Sequence, residues 1–300
     1  MAVPLLLAAL LVSVAVAFTV GAGARQGARC GTTSDRRAQD LRVRAEAPGG
    51  DLEALVHVPA LALGRPAPLL LAFHGSGGSG PFMAGYSRLV RVADREGFLV
   101  AFPTARSGEG TWELQPEEDP STDDVAAVRV LLDRVAATAC VESKRVTAVG
   151  VSNGGGFTAR LACEMSDRLA GVAVVAGGFA RLPPCRPAHP MPLLEIHGTA
   201  DRVVPYLGDP EVRGGRGAVR PWLAAWARRD GCRPGARRRP ALHGVVRIRW
   251  RGCAGGSKVE HIAILGGQHA WPGASPPDPG PSPVSAAEES WRFLAGATLR

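Results

Sequence analysis

Val146-Thr-Ala-Val-Gly-Val-Ser152-Asn-Gly-Gly-Gly156 reads as a buried strand that turns sharply into a helix, with a serine at the apex. The run from Val146 to Val151 is β-branched and small, as a central strand of a parallel sheet covered on both faces requires. Gly150, Ser152 and Gly154 stand in the G-x-S-x-G spacing of a nucleophile elbow. A serine on a tight strand-to-helix turn is pushed out past the carboxyl edge of the sheet. Glycines two places before and two places after it leave room for neighbouring backbone. The helix expected over residues 153–166 points its amino end at that serine and favours negative charge there. A bare glycine-rich turn can carry the same spacing by chance, so the context decides.

That context is chain order. Pro192-Leu-Leu-Glu-Ile-His-Gly-Thr-Ala-Asp201 is an apolar strand ending in a small-residue loop that carries an acid. Val259-Glu-His-Ile-Ala-Ile-Leu-Gly-Gly-Gln-His269 is another strand, ending in Gly-Gly and then a histidine. Each polar residue sits just past the carboxyl end of a strand, where open α/β sheets place their chemistry. The separations, 201 − 152 = 49 and 269 − 201 = 68 residues, leave room for a strand and a helix between members. Serine, acid, histidine is the order of the α/β-hydrolase fold. The expected roles are Ser152 as nucleophile, His269 as the base that takes and returns the proton, and Asp201 as the group that orients the imidazole.

Upstream, Pro68-Leu-Leu-Leu-Ala-Phe-His74-Gly-Ser-Gly-Gly-Ser-Gly80 is a strand followed by a His-Gly-x-Gly loop. Such a loop lends one backbone N–H to an oxyanion hole, paired with the N–H after the nucleophile. Ser76 and Asn153 are therefore the expected donors, with Gly75 or Gly77 next to Ser76 as alternatives. A phosphate cradle is disfavoured because no Gly-Lys-Ser/Thr follows the glycines.

On His74-Gly75, Gly150-Val-Ser-Asn-Gly-Gly155, Arg160-Leu-Ala-Cys163-Glu, His197-Gly-Thr-Ala-Asp201 and Gly266-Gly-Gln-His-Ala-Trp-Pro-Gly273, the chain resembles the secreted polyhydroxybutyrate depolymerase and feruloyl esterase group, carbohydrate-esterase-like α/β-hydrolases. The resemblance runs from about Asp40 to the C-terminus. It implies hydrolysis of a small or polymeric carboxylic ester through an acyl-enzyme on Ser152, with no metal and no organic cofactor. It does not separate polyester, feruloyl and acetyl esters, since the group cleaves all three with the same elbow. Gln268 stands where many relatives carry glycine, and the segment around Trp112 lacks a cysteine-containing stretch common in the group. Trp271, two residues past His269, and Trp112 are the candidate rings for stacking on an aryl or sugar group, with plain core packing as the alternative.

Composition suits one enzyme-sized domain. The 300 residues are 46% hydrophobic and 5% aromatic, enough to bury a large core, and 38 glycines suit many tight strand–helix connections. Of 35 basic residues only Lys144 and Lys258 are lysines, and the net charge is +8. That charge favours acidic surfaces in general. The arginines cluster in loops such as 228–239 without interleaved aromatic residues, which argues against nucleic-acid binding.

The first 24 residues carry no charge, Val3 to Val20 is apolar, and Ala22-Gly-Ala24 resembles a cleavage site. The reading is a secretory signal peptide over 1–24, with an uncut membrane anchor as the alternative. A flexible or cysteine-tethered lead-in follows over 25–40, and then a single catalytic domain over 41–300. Six cysteines, an even number without close C-x-x-C pairs, indicate disulfides of an exported protein. Cys232 and Cys253 bracket one expected strand and form the expected pair. Cys140 and Cys163 are both expected at the amino edge of the sheet, which favours joining them and leaves Cys30 with Cys185.

Strands are expected over 42–48, 52–58, 68–74, 97–102, 146–151, 171–176, 192–197, 245–250 and 259–265, and helices over 83–95, 122–138, 153–166, 217–229 and 284–296. This alternation means a mostly parallel sheet with helices on both faces. No long insertion capable of forming a lid occurs apart from the irregular 202–240 stretch, so an open site is expected. His197 reads as a structural histidine beside Asp201, and Asp123-Asp124 as a helix start. His57, His189, His243 and His261 read as ordinary surface or core residues. Two functional alternatives remain: a serine peptidase, and a secreted binding protein in which the three residues are silent.

Overall fold

Among the described residues there are ten strands: β1 (Gln39–Ala45), β2 (Leu52–Val58), β3 (Ala67–Phe73), β4 (Leu99–Thr104), β5 (Val141–Val151), β6 (Val172–Val175), β7 (Leu193–Gly198), β8 (Arg237–Leu242), β9 (Val245–Trp250) and β10 (Val259–Ile264). In this computed structural model they form one sheet in the order β1-β2-β4-β3-β5-β6-β7-β10-β9-β8. The structure describes residue 30 and residues 37–117, 119, 123–179, 182–208, 217–276 and 282–299. The expected signal peptide over 1–24 lies outside the described residues. Among the described residues no helix is long and apolar enough to cross a membrane.

The six central strands, β4-β3-β5-β6-β7-β10, run parallel. Antiparallel partners close both margins: β1 and β2 beside β4, β9 and β8 beside β10. The α/β-hydrolase expectation is met. Side-chain alternation splits each strand between two cores. Leu69, Leu71 and Phe73 face one with Val146 and Ala148, while Leu70 and Ala72 face the other with Val149 and Val151. The first core is roofed by α3 (Asp124–Thr138), α4 (Asn153–Glu164) and α5 (Val219–Arg229). The second is roofed by α1 (Gly80–Ser87), α2 (Leu89–Glu96) and α6 (Ala286–Leu294). Each fully buried large apolar side chain contributes roughly 1.5–3 kcal/mol over its exposed state.

Four element expectations need correction, the first being the strand expected over 146–151, which begins at Val141. The single helix over 83–95 is two helices, because Arg88 adopts a left-handed φ of 62° that ends α1. Ser87 Oγ then accepts from Leu89 N–H at 3.2 Å to start α2. The first strand runs over 39–45, not 42–48, and so reaches into the expected lead-in. Strand β8 was not expected, since Arg237-Arg-Arg-Pro-Ala-Leu242 has no apolar alternation. It exists because His243 and Gly244, both at positive φ (54° and 77°), fold it back onto β9 in a tight turn. Pro240 has no amide to donate, which an edge strand tolerates.

Two cysteine pairings are also corrected. The bonds are Cys30–Cys140, Cys163–Cys185 and Cys232–Cys253, and among the described residues no cysteine is free. Cys232–Cys253 is the pair expected. Cys140 and Cys163 do not meet because β5 begins at Val141 beside Ala67 of β3, so Cys140 lies on the β3 side of the strand. Cys163, in the last turn of α4, instead packs with Cys185 and the segment after β6.

Candidate active site

Ser152 stands between β5 and α4 with φ 57° and ψ −121°, a left-handed backbone that a non-glycine residue holds only under strain. The surroundings enforce it. Ser152 N–H donates to Val175 O at 2.9 Å, and Ser152 O accepts from Gly156 N–H at 3.0 Å. A Cβ on Gly150 would overlap the Gly154 carbonyl, and one on Gly154 would overlap the carbonyls of His74 and Phe73. The two glycines of the elbow are therefore demanded by close backbone approach.

Asp201 follows β7 and His269 follows β10, two strands that pair in parallel. Their loops are tied together: Ala200 N–H donates to Gly267 O at 2.8 Å, and Gly266 N–H to Thr199 Oγ1 at 2.9 Å. Asp201 Oδ1 accepts from Val203 and Val204 N–H, both at 2.8 Å. Its Oδ2 lies 2.8 Å from His269 Nδ1, and His269 Nε2 lies 2.9 Å from Ser152 Oγ. Burial alone would raise the Asp201 carboxyl. Hydrogen bonds from His197, His269 and Val204 N–H outweigh it and hold the group well below the usual carboxylate range. With an ionised acceptor at Nδ1, His269 carries its proton there and presents a lone pair to the Ser152 hydroxyl. The structure thus joins the three residues expected from chain order, across 117 and 68 positions of sequence.

The glycine loop after β3 lies against the serine, with Gly75 so close that an added Cβ would sit 3.2 Å from Ser152 Cβ. His74 shapes this loop. It is buried, its Nε2 accepts from Ala105 N–H at 3.0 Å, and its Nδ1 donates to Gly75 O at 2.8 Å. Burial lowers its pKa, partly offset by the Gly75 bond, so the ring is neutral. Asn153 is the first residue of α4, where backbone N–H groups lack intrahelical partners. Its side chain accepts from Trp112 N–H at 2.7 Å and donates to Trp112 O at 2.9 Å, pinning the loop after β4.

An open cleft of about 580 Å³ leads to Ser152 and His269, lined also by Gly75, Ser76, Phe82 and Tyr86. The two tryptophan expectations are corrected here. Trp271 backs the cleft wall but is fully buried and donates from Nε1 to Ser87 O at 3.0 Å. Trp112 is 2% exposed, donates to His74 O at 3.1 Å and stacks on Phe157. Neither ring has a face for a ligand, because each is consumed in holding the loops around the serine. The rings open to the cleft are Phe82, 57% exposed, and Tyr86 stacked on it at 5.1 Å. Their signal in the sequence is the i, i+4 spacing on α1.

Behind Asp201 lies a buried polar cluster that the sequence reading did not assemble. His197, Glu195 and His261 are all buried, and Tyr206 bonds His261. The available sign was a lone Glu195 inside the otherwise apolar strand 193–196. Asp123 and Asp124 are where expected, at the start of α3: Asp123 Oδ1 caps Val125 N–H at 2.7 Å and Asp124 pairs with Arg106 at 3.1 Å.

This sheet, its serine elbow and its hydrogen-bonded acid and histidine define an α/β-hydrolase of the serine-hydrolase class. A family model for esterase PHB depolymerase matches residues 52–181. NocK of Nocardia uniformis subsp. tsuyamanensis, named as a candidate esterase, is 35% identical over 251 residues, 75% of this chain and 71% of its own. Feruloyl esterase B of Piromyces equi is 31% identical over 217 residues, 69% of this chain and 40% of its own length. Among solved structures, an acetyl xylan esterase from Aspergillus awamori superposes with a TM-score of 0.64 at 13% identity, over 86% of this chain and 98% of that one, a likeness of fold. The chain belongs to the esterase PHB depolymerase family and is a serine carboxylic-ester hydrolase.

Proposed function

We propose that the protein is an exported esterase in which Ser152, His269 and Asp201 act as a catalytic triad on aryl esters of the feruloyl kind. The observation that carries the reading is the chain Ser152 Oγ–His269 Nε2–His269 Nδ1–Asp201 Oδ2, with links of 2.9 and 2.8 Å. Ser152 Oγ attacks the ester carbonyl as its proton passes to His269 Nε2. The oxyanion is held by the N–H groups of Asn153 and Ser76, aided by the amino end of α4. Collapse of the tetrahedral species passes that proton to the leaving alkoxide and leaves the acyl group on Ser152. Water, deprotonated by His269, then releases the carboxylic acid and restores the serine.

The cleft supports the substrate class. Phe82 and Tyr86 offer a stacked aromatic wall beside the serine, and the exposed Val203 adds an apolar lip. An open mouth suits an ester carried on a polymer better than a free lipid chain. Three disulfides fit an oxidising compartment, which supports export.

A fluorophosphonate probe should label Ser152 and no other serine, and Ser152→Ala and His269→Ala should each lower kcat/KM on p-nitrophenyl acetate by about 10⁴-fold or more. Full activity in Ser152→Ala would sink the assignment. Phe82→Ala should raise KM for methyl ferulate about three- to tenfold, since a lost ring contact is worth about 0.5–1.5 kcal/mol, and leave methyl butyrate, which has no ring, unchanged. An equal effect on both esters would remove the aryl preference.

A further inference from the structure

The acid of the triad is contacted by two imidazoles, and only one of them reaches the serine. His197, on β7, lies under Asp201 with its Nε2 3.2 Å from Asp201 Oδ2 and 2.9 Å from Val204 O. Both of these atoms are acceptors, so Nε2 must carry a proton. On the other side of the ring, Nδ1 lies 2.7 Å from Glu195 Oε1. Glu195 is fully buried, and its second oxygen, Oε2, lies 2.6 Å from His261 Nδ1 on β10. His261 Nε2 meets the Tyr206 hydroxyl at 2.8 Å. The Glu195 carboxylate pairs with both imidazoles, through the His197 hydrogen bond and the charge of His261, and these hold it ionised against burial. Nδ1 of His197 is then protonated as well, and the ring is an imidazolium.

We infer that Glu195 and His197 form a buried ion pair that acts as a positioning device, in which a permanently charged His197 donates to Asp201 and limits how strongly that carboxylate attracts a proton onto His269. His197 is a positioning residue, since it touches only Asp201 of the reacting groups. The balance of forces agrees with the geometry. Burial pushes the proton off His197, yet the Glu195 charge and the bonds to Asp201, Glu195 and Val204 O outweigh it and push its pKa up to about 10. Glu195 is held below its ordinary value by the two histidines against the opposing effect of burial. Tyr206, pushed up to about 12 by burial and by Glu195, keeps its proton. Among the described residues, Arg220 of α5 and Arg238 of β8 oppose that rise at Tyr206, and His269 faces the cluster through Asp201. The two bonds from Val203 and Val204 N–H fix Asp201 Oδ1, and His197 fixes Oδ2. The carboxylate therefore has one orientation, aimed at His269 Nδ1.

The arrangement has a consequence for pH. The enzyme is active when His269 is neutral and can accept the Ser152 proton. A cation beside Asp201 opposes protonation of His269, so it extends activity toward lower pH. Glu195→Gln is the isosteric test. A glutamine amide still reaches His197 Nδ1, which then becomes the acceptor of a neutral ring, while Nε2–H still serves Asp201 and Val204 O. Shape and hydrogen bonds persist and the charge is gone.

The inference rests on the triad reading, so the experiment is built to separate the two. In the oxidised full-length protein, kcat/KM on p-nitrophenyl acetate is measured against pH for the wild type, for Glu195→Gln and for the doubly substituted Glu195→Gln/His197→Gln. The expected result is an acid limb moved upward by about 0.5–1 pH unit in both variants, a loss of about three- to tenfold on that limb, and an unchanged KM. Ring ¹⁵N spectra of the histidine-labelled wild type should show both His197 nitrogens protonated from pH 5 to 8, a readout that holds even if a variant folds poorly. An unprotonated His197 nitrogen at pH 7, or acid limbs that superimpose in folded variants, overturns the inference. Fluorophosphonate labelling runs alongside: superimposed limbs with Ser152 labelled remove only the ion-pair device, whereas an unlabelled wild-type Ser152 removes the triad reading with it.

Discussion

At the scale of single residues, the serine elbow is held by what its neighbours lack. Gly154 gives the clearest measure, because a Cβ there would run into the carbonyls of Phe73 and His74 at the end of β3. Backbone cannot move aside as a flexible side chain can. Gly154→Ala should therefore lower Tm by about 2–12 °C, from an overpacking cost of about 1–3 kcal/mol, and should also depress kcat by displacing the loop that carries Ser76. Calorimetry with parallel ester kinetics checks both, and an unchanged Tm would mean the turn has slack. The tryptophans show the opposite case, where residue type did not reveal role. Trp112 and Trp271 each spend their indole N–H on a backbone carbonyl, of His74 and of Ser87, beneath the site they brace. In one dimension a ring two residues from the histidine resembles a ligand contact. Only its burial distinguishes the two.

At the scale of elements, the loop between β4 and α3 is held by a knot of charges as well as by the buried Trp112. Arg160 of α4 donates to Glu113 O at 3.0 Å and Gln115 O at 2.9 Å and pairs with Asp123, while Glu113 lies against Asp124. Burial first, then the charges of Asp124 and Glu117, push Glu113 up to about 7. Its folded pKa is above its unfolded value, so the folded state binds the extra proton, and stability falls as pH rises from about 4.5 through about 7. Glu113→Gln should leave Tm unchanged at pH 5 and raise it at pH 8; a gain of equal size at both values would contradict this origin. The same scale explains the missed strand. Arg237 to Leu242 carries no alternation of its own and becomes β8 only because a two-residue turn folds it against β9, opposite Arg247 and Arg249. Arg88 likewise breaks a continuous helical stripe through its backbone alone, with nothing in its side chain to announce the break.

At the scale of the whole molecule, three crosslinks tie elements far apart in sequence. Cys30–Cys140 spans 110 positions, Cys163–Cys185 spans 22 and Cys232–Cys253 spans 21. By chain entropy, the 22-residue closure contributes about 3 kcal/mol. Replacing Cys163 and Cys185 together by serine should lower Tm by about 6–12 °C without changing the pH profile, since α4 is anchored at its amino end by the elbow. Peptide mapping of the intact protein should recover that crosslink. A Cys140–Cys163 peptide would overturn the pairing.

The order serine, acid, histidine and the apolar runs before each of them are local properties, and they sufficed to determine the parallel sheet, the elbow and the three residues at its carboxyl edge. They are legible because a nucleophile elbow needs glycines at set spacings and because each strand announces its own burial. Strand ends place Ser152, Asp201 and His269 on one edge whatever the details of the loops between. What tertiary structure alone decided depends on which surfaces meet. Cys163 finds Cys185 because α4 packs toward the segment after β6, and Phe82 reaches the cleft because α1 starts from its Ser79 cap, beside the glycine loop that borders Ser152. Glu195 and His261, 66 positions apart, become neighbours only because β10 pairs in register with β7. Contacts of that kind are set by the docking of distant elements, whose free energy is shared over both cores and is written in no single stretch of the chain.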